Sequence, residues 1–472
     1  MLTLADILEA LTGTRPEGAS LILSEASIDS RQVIPAALFV ALPGERTDGH
    51  DYVGTAFKRG AHLALVQNDL SGQFQQLDLS SGVWKPGTPL PAAPFCIRVA
   101  DSLGAMQKIA AFWRAKNAAR VIGITGSVGK STTKELTADV LSRRYKTLRN
   151  TGNLNNEIGL PLTLLRMTES HERAVLEMGF YVPGEIRFLC QIARPQVGVV
   201  TNIGTVHAER AGSQEAIARG KAELVEELPA DGFAILNFDD PWVRGMAEKT
   251  KAHVLFYGLD PKAQLWADEV ESLGLEGIRF RLHWSSEVIH IHVPLIGQHS
   301  VHTALRAAAV GLVEGLSWQE IADGLMHSRS QLRLVAVHTR QGALLLDDTY
   351  NASPESTLAA LNLLGELNGR RVAVLGDMLE LGQYEQKGHE MVGARAAEVC
   401  AELVTVGTLG KIIAEAAQNS GMPARAITRL DTVPEAVDLL NEKLRPGDVV
   451  LVKGSHGLRM DRIVTALEVE NS

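Results

Sequence analysis

Residues 123–135 read Gly-Ile-Thr-Gly-Ser-Val-Gly-Lys-Ser-Thr-Thr-Lys-Glu and are the strongest indication of the fold. The apolar run at 121–124 predicts a buried parallel strand, and the residues from Ser131 onward have a helical pattern. A glycine turn between a strand and a helix is typical of a phosphate-binding loop, because backbone N–H groups and the positive end of the helix face the same anion. The stretch therefore predicts a nucleotide site on an α/β sheet.

Each residue type in this turn has a chemical use at such a site. Gly126 and Gly129 allow a tight backbone bend. Lys130 supplies a positive charge for the β- and γ-phosphates, and the hydroxyl of Ser131 can ligate Mg²⁺. The general pattern has glycine where this chain has Ile124, so the match is to a variant loop. A glycine-rich turn that only packs tightly is the alternative, and we favour nucleotide binding because Gly-Lys-Ser-Thr directly follows a strand.

The composition is that of an ordinary globular protein and argues against several classes of function. The 472 residues predict about three domains. A formal net charge of −9 argues against broad nucleic-acid binding. No apolar run approaches the ~18 residues of a membrane span, and the acidic N-terminal segment does not resemble a signal peptide. Cys96, Cys190 and Cys400 have neither metal-site nor disulfide spacing, which favours a cytoplasmic location.

The pattern of apolar segments predicts three domains. Residues 1–101 begin with a helix followed by short strands, and the stretch at about 68–95 is rich in Ser, Gly, Pro and Gln, which predicts a flexible surface insertion. A helix at 102–116 leads into a second domain, 102–329, in which strands and helices alternate around a mostly parallel sheet. A second alternation over 330–472 predicts a separate doubly wound unit.

Several polar residues occupy positions at which a nucleotide enzyme needs them. Glu177 ends a predicted strand, where a carboxylate can ligate Mg²⁺, although strand-end acids are more often simply solvated. His207 follows another strand, and ligand and structural roles are equally favoured. The charge pattern around Lys221 predicts a solvated helix lysine. Asn155 and Asn156 lie in a segment rich in Asn and Gly, which is either a simple loop or a row of donors for phosphate or sugar.

Together, these segments resemble the Mur ligase family, the ATP-dependent amide-forming enzymes of bacterial cell-wall synthesis. The resemblance covers nearly the whole chain. It includes Asp29-Ser30-Arg31, the loop from Thr125 to Glu135, the segments 152–161 and 346–351, and Lys453-Gly454-Ser455. The order and combination of these motifs are far more specific than any one of them.

The resemblance implies an α/β fold of three domains: a small N-terminal α/β domain that binds UDP, a central P-loop-type ATPase domain with a parallel sheet, and a C-terminal Rossmann-like, doubly wound domain. It implies a ligase that joins D-alanyl-D-alanine to UDP-N-acetylmuramoyl-tripeptide through an acyl phosphate. Peptidoglycan synthesis of this kind serves cell shape and division. ATP, two Mg²⁺ ions and a carbamylated lysine would be its cofactors. A monomer without nucleic-acid or membrane partners is expected.

Residue by residue, the resemblance also implies roles. The catalytic residues would be Lys130, Lys221, Arg333 and Asp348. The nucleotide would contact Thr125, Gly126, Ser127, Val128, Gly129, Lys130, Ser131, Thr132, His299, Ser300, Thr303, Arg333 and Asp348. The other substrates would contact Asp29, Ser30, Arg31, Asp48, His50, Asn155, Asn156, Tyr350, Asn351, Asp377, Lys453 and Ser455. The metal ligands would be Ser131, Glu177, His207 and Lys221, the last through its carbamate.

The chain departs from the family pattern at the helix start expected to contact adenine. The family has Gly-x-His-Asn-x-x-Asn, and both asparagines are replaced here, by Ser300 and Thr303. A hydroxyl can make hydrogen bonds there but is not a two-headed amide. Three rival functions are a ligase of the same family that adds a diamino acid, a folate polyglutamylating enzyme, and a nucleotide-binding module without ligase activity. The first would carry an Asp-Asn-Pro-Arg motif, which this sequence lacks.

Overall fold

Three β-sheets follow one another along the chain in the computed structural model, which describes residues 1–44, 47–85, 87–206, 208–327 and 335–469. Within those ranges the first sheet has five strands, the second nine and the third six. The boundary predicted between residues 329 and 330 lies outside the described residues. None of the helices in these ranges is long and apolar enough to cross a membrane.

The N-terminal sheet is entirely parallel, with strand order β1-β2-β3-β5-β4. Its strands are β1 (Ala26–Ser27), β2 (Leu38–Val40), β3 (Leu63–Val66), β4 (Gln76–Asp78) and β5 (Phe95–Arg98). The helices are α1 (Leu4–Thr12), α2 (Val53–Lys58) and α3 (Ser102–Lys116).

Part of the segment 68–95, which was predicted to be a flexible surface insertion, is a strand of the sheet. Strand β4 lies inside this segment and pairs with β5 at the edge of the sheet. Leu77 and Leu79 are buried there. Two leucines at alternate positions provide enough apolar surface to hold an otherwise polar segment against the sheet.

The central sheet is parallel over most of its width and ends in an antiparallel hairpin. In chain order the strands are β6 (Arg120–Thr125), β7 (Thr147–Arg149), β8 (Arg173–Glu177), β9 (Val197–Val200), β10 (Phe233–Asn237), β11 (His253–Gly258), β12 (Leu265–Ser272), β13 (Ile278–Trp284) and β14 (Glu287–Val293). Their order across the sheet is β14-β13-β12-β11-β10-β9-β6-β8-β7, with β13 antiparallel to both neighbours. The helices are α4 (Lys130–Leu141), α5 (Gly159–Leu165), α6 (Glu185–Ala193), α7 (Ala208–Ala211), α8 (Gln214–Glu226), α9 (Pro241–Arg244), α10 (Val301–Val313) and α11 (Trp318–Met326).

Strand β6 lies between β8 and β9, and this order determines which residues surround the predicted nucleotide site. Parallel strands share one carboxyl edge, so the residues that follow β8 and β9 lie on either side of the loop that follows β6. The crevice at that edge is where open α/β sheets bind ligands.

The C-terminal sheet has the order β15-β16-β20-β17-β18-β19 and is parallel except for β15. Its strands are β15 (Val335–His338), β16 (Leu344–Asp348), β17 (Arg370–Gly376), β18 (Glu402–Val406), β19 (Ile427–Leu430) and β20 (Asp448–Lys453). The helices are α12 (Pro354–Glu366), α13 (Glu385–Val399), α14 (Gly410–Asn419), α15 (Val433–Lys443) and α16 (Asp461–Leu467).

This last sheet is covered on both faces, as a doubly wound fold requires. Leu346 packs in one core with residues of α12, α13 and α14, and its neighbour Leu345 packs in another with residues of α15 and α16. Successive strand residues point to opposite faces, so an unbroken apolar strand serves both cores.

Candidate active site

The loop between β6 and α4 needs glycine at two positions. Gly126 has φ +144°, and a Cβ there would lie 1.8 Å from Thr201 Oγ1. Gly129, the last residue before α4, has φ +84°. Any side chain at Gly126 would displace the residue that follows β9, so the loop and that strand end are fitted to each other.

Thr201 and Asn202, which follow β9, hold the loop between β6 and α4 in place. The N–H groups of Ser127 and Val128 donate to the backbone oxygen and the Oδ1 of Asn202, both at 2.9 Å. Thr201 Oγ1 donates to Val128 O at 2.7 Å. Neither Thr201 nor Asn202 was predicted as a site residue, although an Asn directly after a buried strand could have indicated one.

Lys130 lies over the loop that precedes it. Its Nζ donates to Gly126 O at 2.8 Å and to Ser127 O at 3.2 Å. The ammonium group therefore lies beside the backbone that is predicted to hold phosphate, where it can neutralise an anion.

Glu177, at the end of β8, receives hydrogen bonds on both carboxylate oxygens. Ser131 Oγ donates to Oε2 at 2.7 Å, and Asn155 Nδ2 donates to Oε1 at 2.9 Å. Asn150 braces the same residue, because it accepts from Glu177 N and donates to Glu177 O, both at 3.0 Å. The predicted metal residues Ser131 and Glu177 thus lie together, and Asn150 is a support that sequence reasoning missed.

The oxygen-rich surroundings of Glu177 fit Mg²⁺. Among the described residues, no three His, Cys, Asp or Glu side chains converge in a way that could hold a metal ion. Mg²⁺ does not require such a cluster, since it commonly uses one or two carboxylates together with substrate phosphates and water. A hydroxyl and a carboxylate beside a phosphate loop are a suitable donor set.

Lys221, on α8, is almost completely buried behind the loop, contrary to the exposed position that its charge pattern predicts. Its Nζ donates to Gly126 O at 3.0 Å and lies 4.7 Å from the centre of the Phe180 ring. Burial, reinforced by the nearby Lys130 charge and opposed by Glu177, holds the pKa of Lys221 well below its usual value. The amine is therefore far more readily neutral than that of an exposed lysine.

A cavity of about 730 Å³ lies between the phosphate loop and the C-terminal domain. On the C-terminal side, Lys453 is buried and its Nζ donates to Asp348 Oδ2 at 2.7 Å and to Asn351 O at 2.9 Å. The cavity brings together fifteen of the predicted site residues: Ser127, Val128, Gly129, Lys130, Thr132, Asn155, Asn156, Glu177, His299, Ser300, Thr303, Asp348, Tyr350, Asn351 and Lys453.

The predicted residues of the N-terminal domain lie apart from this cavity lining. Asp29 and Arg31 form an ion pair of 2.8 Å, and the Arg31 side chain is 86% exposed. Ser30 between them is buried. His50 Nδ1 contacts Asp48 Oδ1 at 2.5 Å, and His50 Nε2 accepts from Gln67 N at 3.0 Å. His50 therefore joins two loops, and Arg31 is the residue of this group that is most available to a ligand.

Asp377 and Ser455 are also absent from the cavity lining. Asp377 Oδ1 accepts from the N–H groups of Leu409 and Gly410 at the start of α14, and Ser455 Oγ accepts from Leu379 N. Both side chains support loops at the carboxyl edge of the C-terminal sheet. The predicted residues His207 and Arg333 lie outside the described residues.

Comparison with protein families gives one match for each part of the chain. Residues 23–83 match the Mur ligase family catalytic domain, residues 124–311 the Mur ligase middle domain, and residues 332–456 the Mur ligase glutamate ligase domain.

Full-length similarities are found with curated proteins and with solved structures. The UDP-N-acetylmuramoyl-tripeptide–D-alanyl-D-alanine ligase of Bacillus subtilis is 34% identical over 98% of this chain and 98% of its own length. The Escherichia coli protein of the same name is 33% identical over 99% and 98%. A crystal structure of MurF from Acinetobacter baumannii has a TM-score of 0.82 at 30% identity, covering 98% of this chain and 97% of its own. MurF ligase from Thermotoga maritima in complex with ADP has a TM-score of 0.78 at 25% identity, covering 97% of each chain.

Proposed function

The chain belongs to the Mur ligase family, and from this premise we propose that it uses ATP to join D-alanyl-D-alanine to UDP-N-acetylmuramoyl-tripeptide, releasing ADP and phosphate. The product is a peptidoglycan precursor, and we place the reaction in the cytoplasm. The relatives named above support this assignment over the ligase that adds a diamino acid. Both are named as D-alanyl-D-alanine ligases, and their similarity to this chain covers nearly the full length of each.

The proposed ligase activity is supported chiefly by one structural observation. The phosphate loop, the Glu177 carboxylate and the Asp348–Lys453 pair all line the same cavity of about 730 Å³. A nucleotide bound at the loop would therefore face residues of the C-terminal domain across that cavity. A module that only bound a nucleotide would not need this second wall.

The chemistry explains why ATP is required. A carboxylate does not condense with an amine at neutral pH, because its oxygen is a poor leaving group. Transfer of the γ-phosphoryl group to the terminal carboxylate of the tripeptide gives an acyl phosphate. The dipeptide amine then attacks the acyl carbon, the amide C–N bond forms, the C–O bond to phosphate breaks, and the amine loses a proton. Both steps need charge neutralisation and alignment rather than a protein nucleophile.

The residues of the loop supply the neutralisation for the first step. Lys130 places its ammonium beside the loop backbone, and the N–H groups at the start of α4 face the same space. Ser131 and Glu177, the latter held by the Asn155 amide, would hold Mg²⁺, which when bound neutralises phosphate charge. Closure of this cavity would limit access of water to the acyl phosphate.

We further propose that Lys221 is carbamylated. The neutral amine attacks CO₂, a C–N bond forms, and one proton is released, which leaves an anionic carbamate. The lowered pKa of Lys221 supports this step because only the neutral amine is nucleophilic. Lys221 Nζ lies behind the loop, within electrostatic range of Glu177, so a carbamate on this amine could ligate a second Mg²⁺.

A panel of amine acceptors tests the proposed function. We expect phosphate release from ATP only when UDP-N-acetylmuramoyl-tripeptide and D-alanyl-D-alanine are both present. Lys130→Ala should lower the rate by at least about 100-fold with an unchanged circular dichroism spectrum, because the phosphoryl charge loses its cation. Equal release with a UDP-linked dipeptide and a diamino acid would instead assign the rival ligase activity.

A further inference from the structure

Arg306 is a buried cation that lies beside the phosphate loop and outside the motifs that carry the family resemblance. It lies on α10 within the run Ala304-Leu305-Arg306-Ala307, and only 3% of its surface is exposed. Helix α10 packs against α4, the helix that follows the loop. A guanidinium keeps its positive charge when it is buried, and its removal from water is costly. The burial of this side chain therefore indicates that its charge has a use.

The guanidinium of Arg306 occupies the space that a side chain at position 129 would need. Gly129 is the last loop residue before α4 and lines the cavity. A Cβ built on Gly129 would lie 3.2 Å from Arg306 Nη2, so any side chain there would crowd the guanidinium. The glycine thus allows a positive charge to lie directly against the backbone that is predicted to hold phosphate.

The charge of Arg306 is not neutralised by any acid in the described part of the chain. Nη2 donates to Thr303 Oγ1 at 2.8 Å and Nη1 donates to Tyr257 OH at 3.4 Å, and both of these acceptors are uncharged. Nε is buried and has no hydrogen-bond partner among the described residues. No ion pair formed by those residues includes Arg306. The free protein therefore holds a buried cation without a counter-charge.

An anion bound at the loop would supply that counter-charge. Two opposite charges attract each other more strongly inside a protein than at its surface, and salt screens them less. We propose that Arg306 is a positioning residue of the phosphate site, which strengthens the binding of polyphosphate through the Gly129 end of the loop, whichever base the nucleotide carries. This inference rests on the proposed use of ATP and adds a cation to those already assigned to that site.

Calorimetry with two probes, each with Mg²⁺, tests the inference independently of ligation. The probes are ADP and inorganic tripolyphosphate, which carries no base. Arg306→Met keeps most of the apolar stem and should weaken both probes by the same factor, about five- to tenfold. Arg306→Gln keeps a donor for Thr303 Oγ1 but not the charge, and it should show the same loss. Arg306→Lys keeps the charge and should bind both probes within about twofold of the wild-type affinity.

Arg114→Met is the matched control for the loss of a buried guanidinium. Arg114 is 4% exposed and donates to the backbone carbonyls of Ala193 and Asn117, and it is not part of the cavity lining. Its replacement should leave the affinity for both probes unchanged. The KM of D-alanyl-D-alanine should be unchanged in every Arg306 variant. If Arg306→Met does not fold, the comparison of Arg306→Gln with Arg306→Lys decides.

Three results would overturn the inference. They are binding of ADP but not of tripolyphosphate by the wild-type protein, unchanged tripolyphosphate affinity in Arg306→Gln, and an equal loss of affinity in Arg306→Lys and Arg306→Gln. Each of these is compatible with dipeptide-dependent phosphate release by the wild-type protein, so the proposed function would stand. Failure of the wild-type protein to bind either probe would remove both.

Discussion

At the scale of single residues, two lysines that contact the same carbonyl differ in their electrostatic surroundings. Lys130 and Lys221 both donate to Gly126 O, one from the cavity side and one from the core. Lys221 is almost fully buried, without an ion pair to a described acid, and its low pKa reflects the cost of charging it. Such a residue lowers the free energy of unfolding, as is expected of a group that serves the proposed carbamylation rather than stability.

Lys221→Met is therefore expected to stabilise the fold and abolish turnover. Gly126 O keeps its hydrogen bond from Lys130, so the substitution removes a buried amine without leaving that carbonyl unpaired. We expect a gain of about 1–3 kcal/mol at pH 7 in bicarbonate-free buffer, measured by denaturant unfolding, and a fall in phosphate release of at least about 100-fold.

The pH dependence of the stability gained by Lys221→Met follows from the lowered pKa of Lys221. A lysine pKa lowered by folding means that the unfolded chain binds more protons, so the penalty is present at neutral pH and disappears as pH rises towards the ordinary lysine pKa. The advantage of Lys221→Met should shrink between pH 7 and pH 10. Lys134→Met is the matched control, because Lys134 is equally buried but paired with Glu135 at 2.9 Å, and it should not stabilise the protein.

Glu177→Gln tests the assignment of the metal site. Both oxygens of Glu177 now accept hydrogen bonds, and an amide group would turn one of them into a donor facing Ser131 or Asn155. We expect the Mg²⁺ concentration for half-maximal phosphate release to rise about 10- to 100-fold. Glu185 lines the same cavity, but its carboxylate accepts from the N–H groups of Tyr181 and Val182. The Mg²⁺ requirement of the control variant Glu185→Gln should therefore not change. The same Mg²⁺ requirement in Glu177→Gln and wild type would contradict the assignment.

A site residue could be predicted from the sequence when its role depends on the residues next to it in the chain. Lys130 and Ser131 belong to a contiguous motif, so sequence alone predicted them. The importance of Lys221 was implied only by the family resemblance, because its helix has a charge pattern typical of a solvated surface. Arg306 was not predicted, although an arginine inside an alanine-rich apolar run could have indicated a buried charge. Burial is a property of the tertiary structure and cannot be inferred from spacing alone.

At the scale of elements, the strand–loop–helix unit of β6 and α4 depends on a contact with β9. Gly126 combines a positive φ with a contact that excludes a Cβ, since Thr201 Oγ1 would lie 1.8 Å away. The backbone strain alone would cost about 1–2 kcal/mol, and the clash adds to it. Strand β9 therefore determines the shape of the loop as much as the glycine does.

Gly126→Ala should abolish nucleotide binding and reduce stability. The methyl group would push Thr201 away from Val128 O and open the loop. We expect ADP binding to be undetectable by calorimetry and the melting temperature to fall by several degrees. Gly13→Ala is the matched control, because Gly13 also has a positive φ (+74°) but has nothing within 4 Å of its would-be Cβ. ADP binding by Gly13→Ala should be normal, and tight ADP binding by Gly126→Ala would contradict the fitted-loop account.

Element prediction succeeded where periodicity was strong. The helix predicted at 102–116 is α3, with the same bounds, and the helical pattern from Ser131 onward corresponds to α4. The hairpin of β13 and β14 was not predicted. Its strands carry charged and His residues on their exposed positions, so they have no continuous apolar run, and their alternation is clear only once the pairing is known.

At the scale of the whole molecule, the central and C-terminal domains contact each other beside the cavity. Glu355 Oε1, at the start of α12, accepts from Thr205 N at 3.0 Å and from Thr205 Oγ1 at 3.2 Å. Arg210 pairs with Glu380 at 3.5 Å, and Gln383 Nε2 donates to Gly212 O at 3.4 Å. A Cβ on Gly204 would lie 2.7 Å from Glu355, so the two surfaces are closely fitted. These contacts can hold the domains together while the acyl phosphate is present.

We therefore expect Glu355→Ala to impair turnover without impairing nucleotide binding. Glu355 is not part of the cavity lining, and its described hydrogen bonds with Thr205 cross the domain interface. Its loss should lower kcat about tenfold, since closure aligns the amine with the acyl carbon and excludes water, while the Kd of ADP stays the same. Small-angle scattering should show that an ATP analogue plus UDP-N-acetylmuramoyl-tripeptide compacts the wild-type protein more than the variant.

Glu355→Gln provides the matched control because its amide oxygen can still accept from Thr205 N and Oγ1. It should retain both the compaction and most of the kcat. Superimposable wild-type scattering curves with and without ligands would refute domain closure itself. An unchanged kcat in Glu355→Ala alongside normal compaction would instead show that the Thr205–Glu355 contact is dispensable. Closure would then have to depend on the other contacts across the interface, of which the Arg210–Glu380 pair is the next to remove.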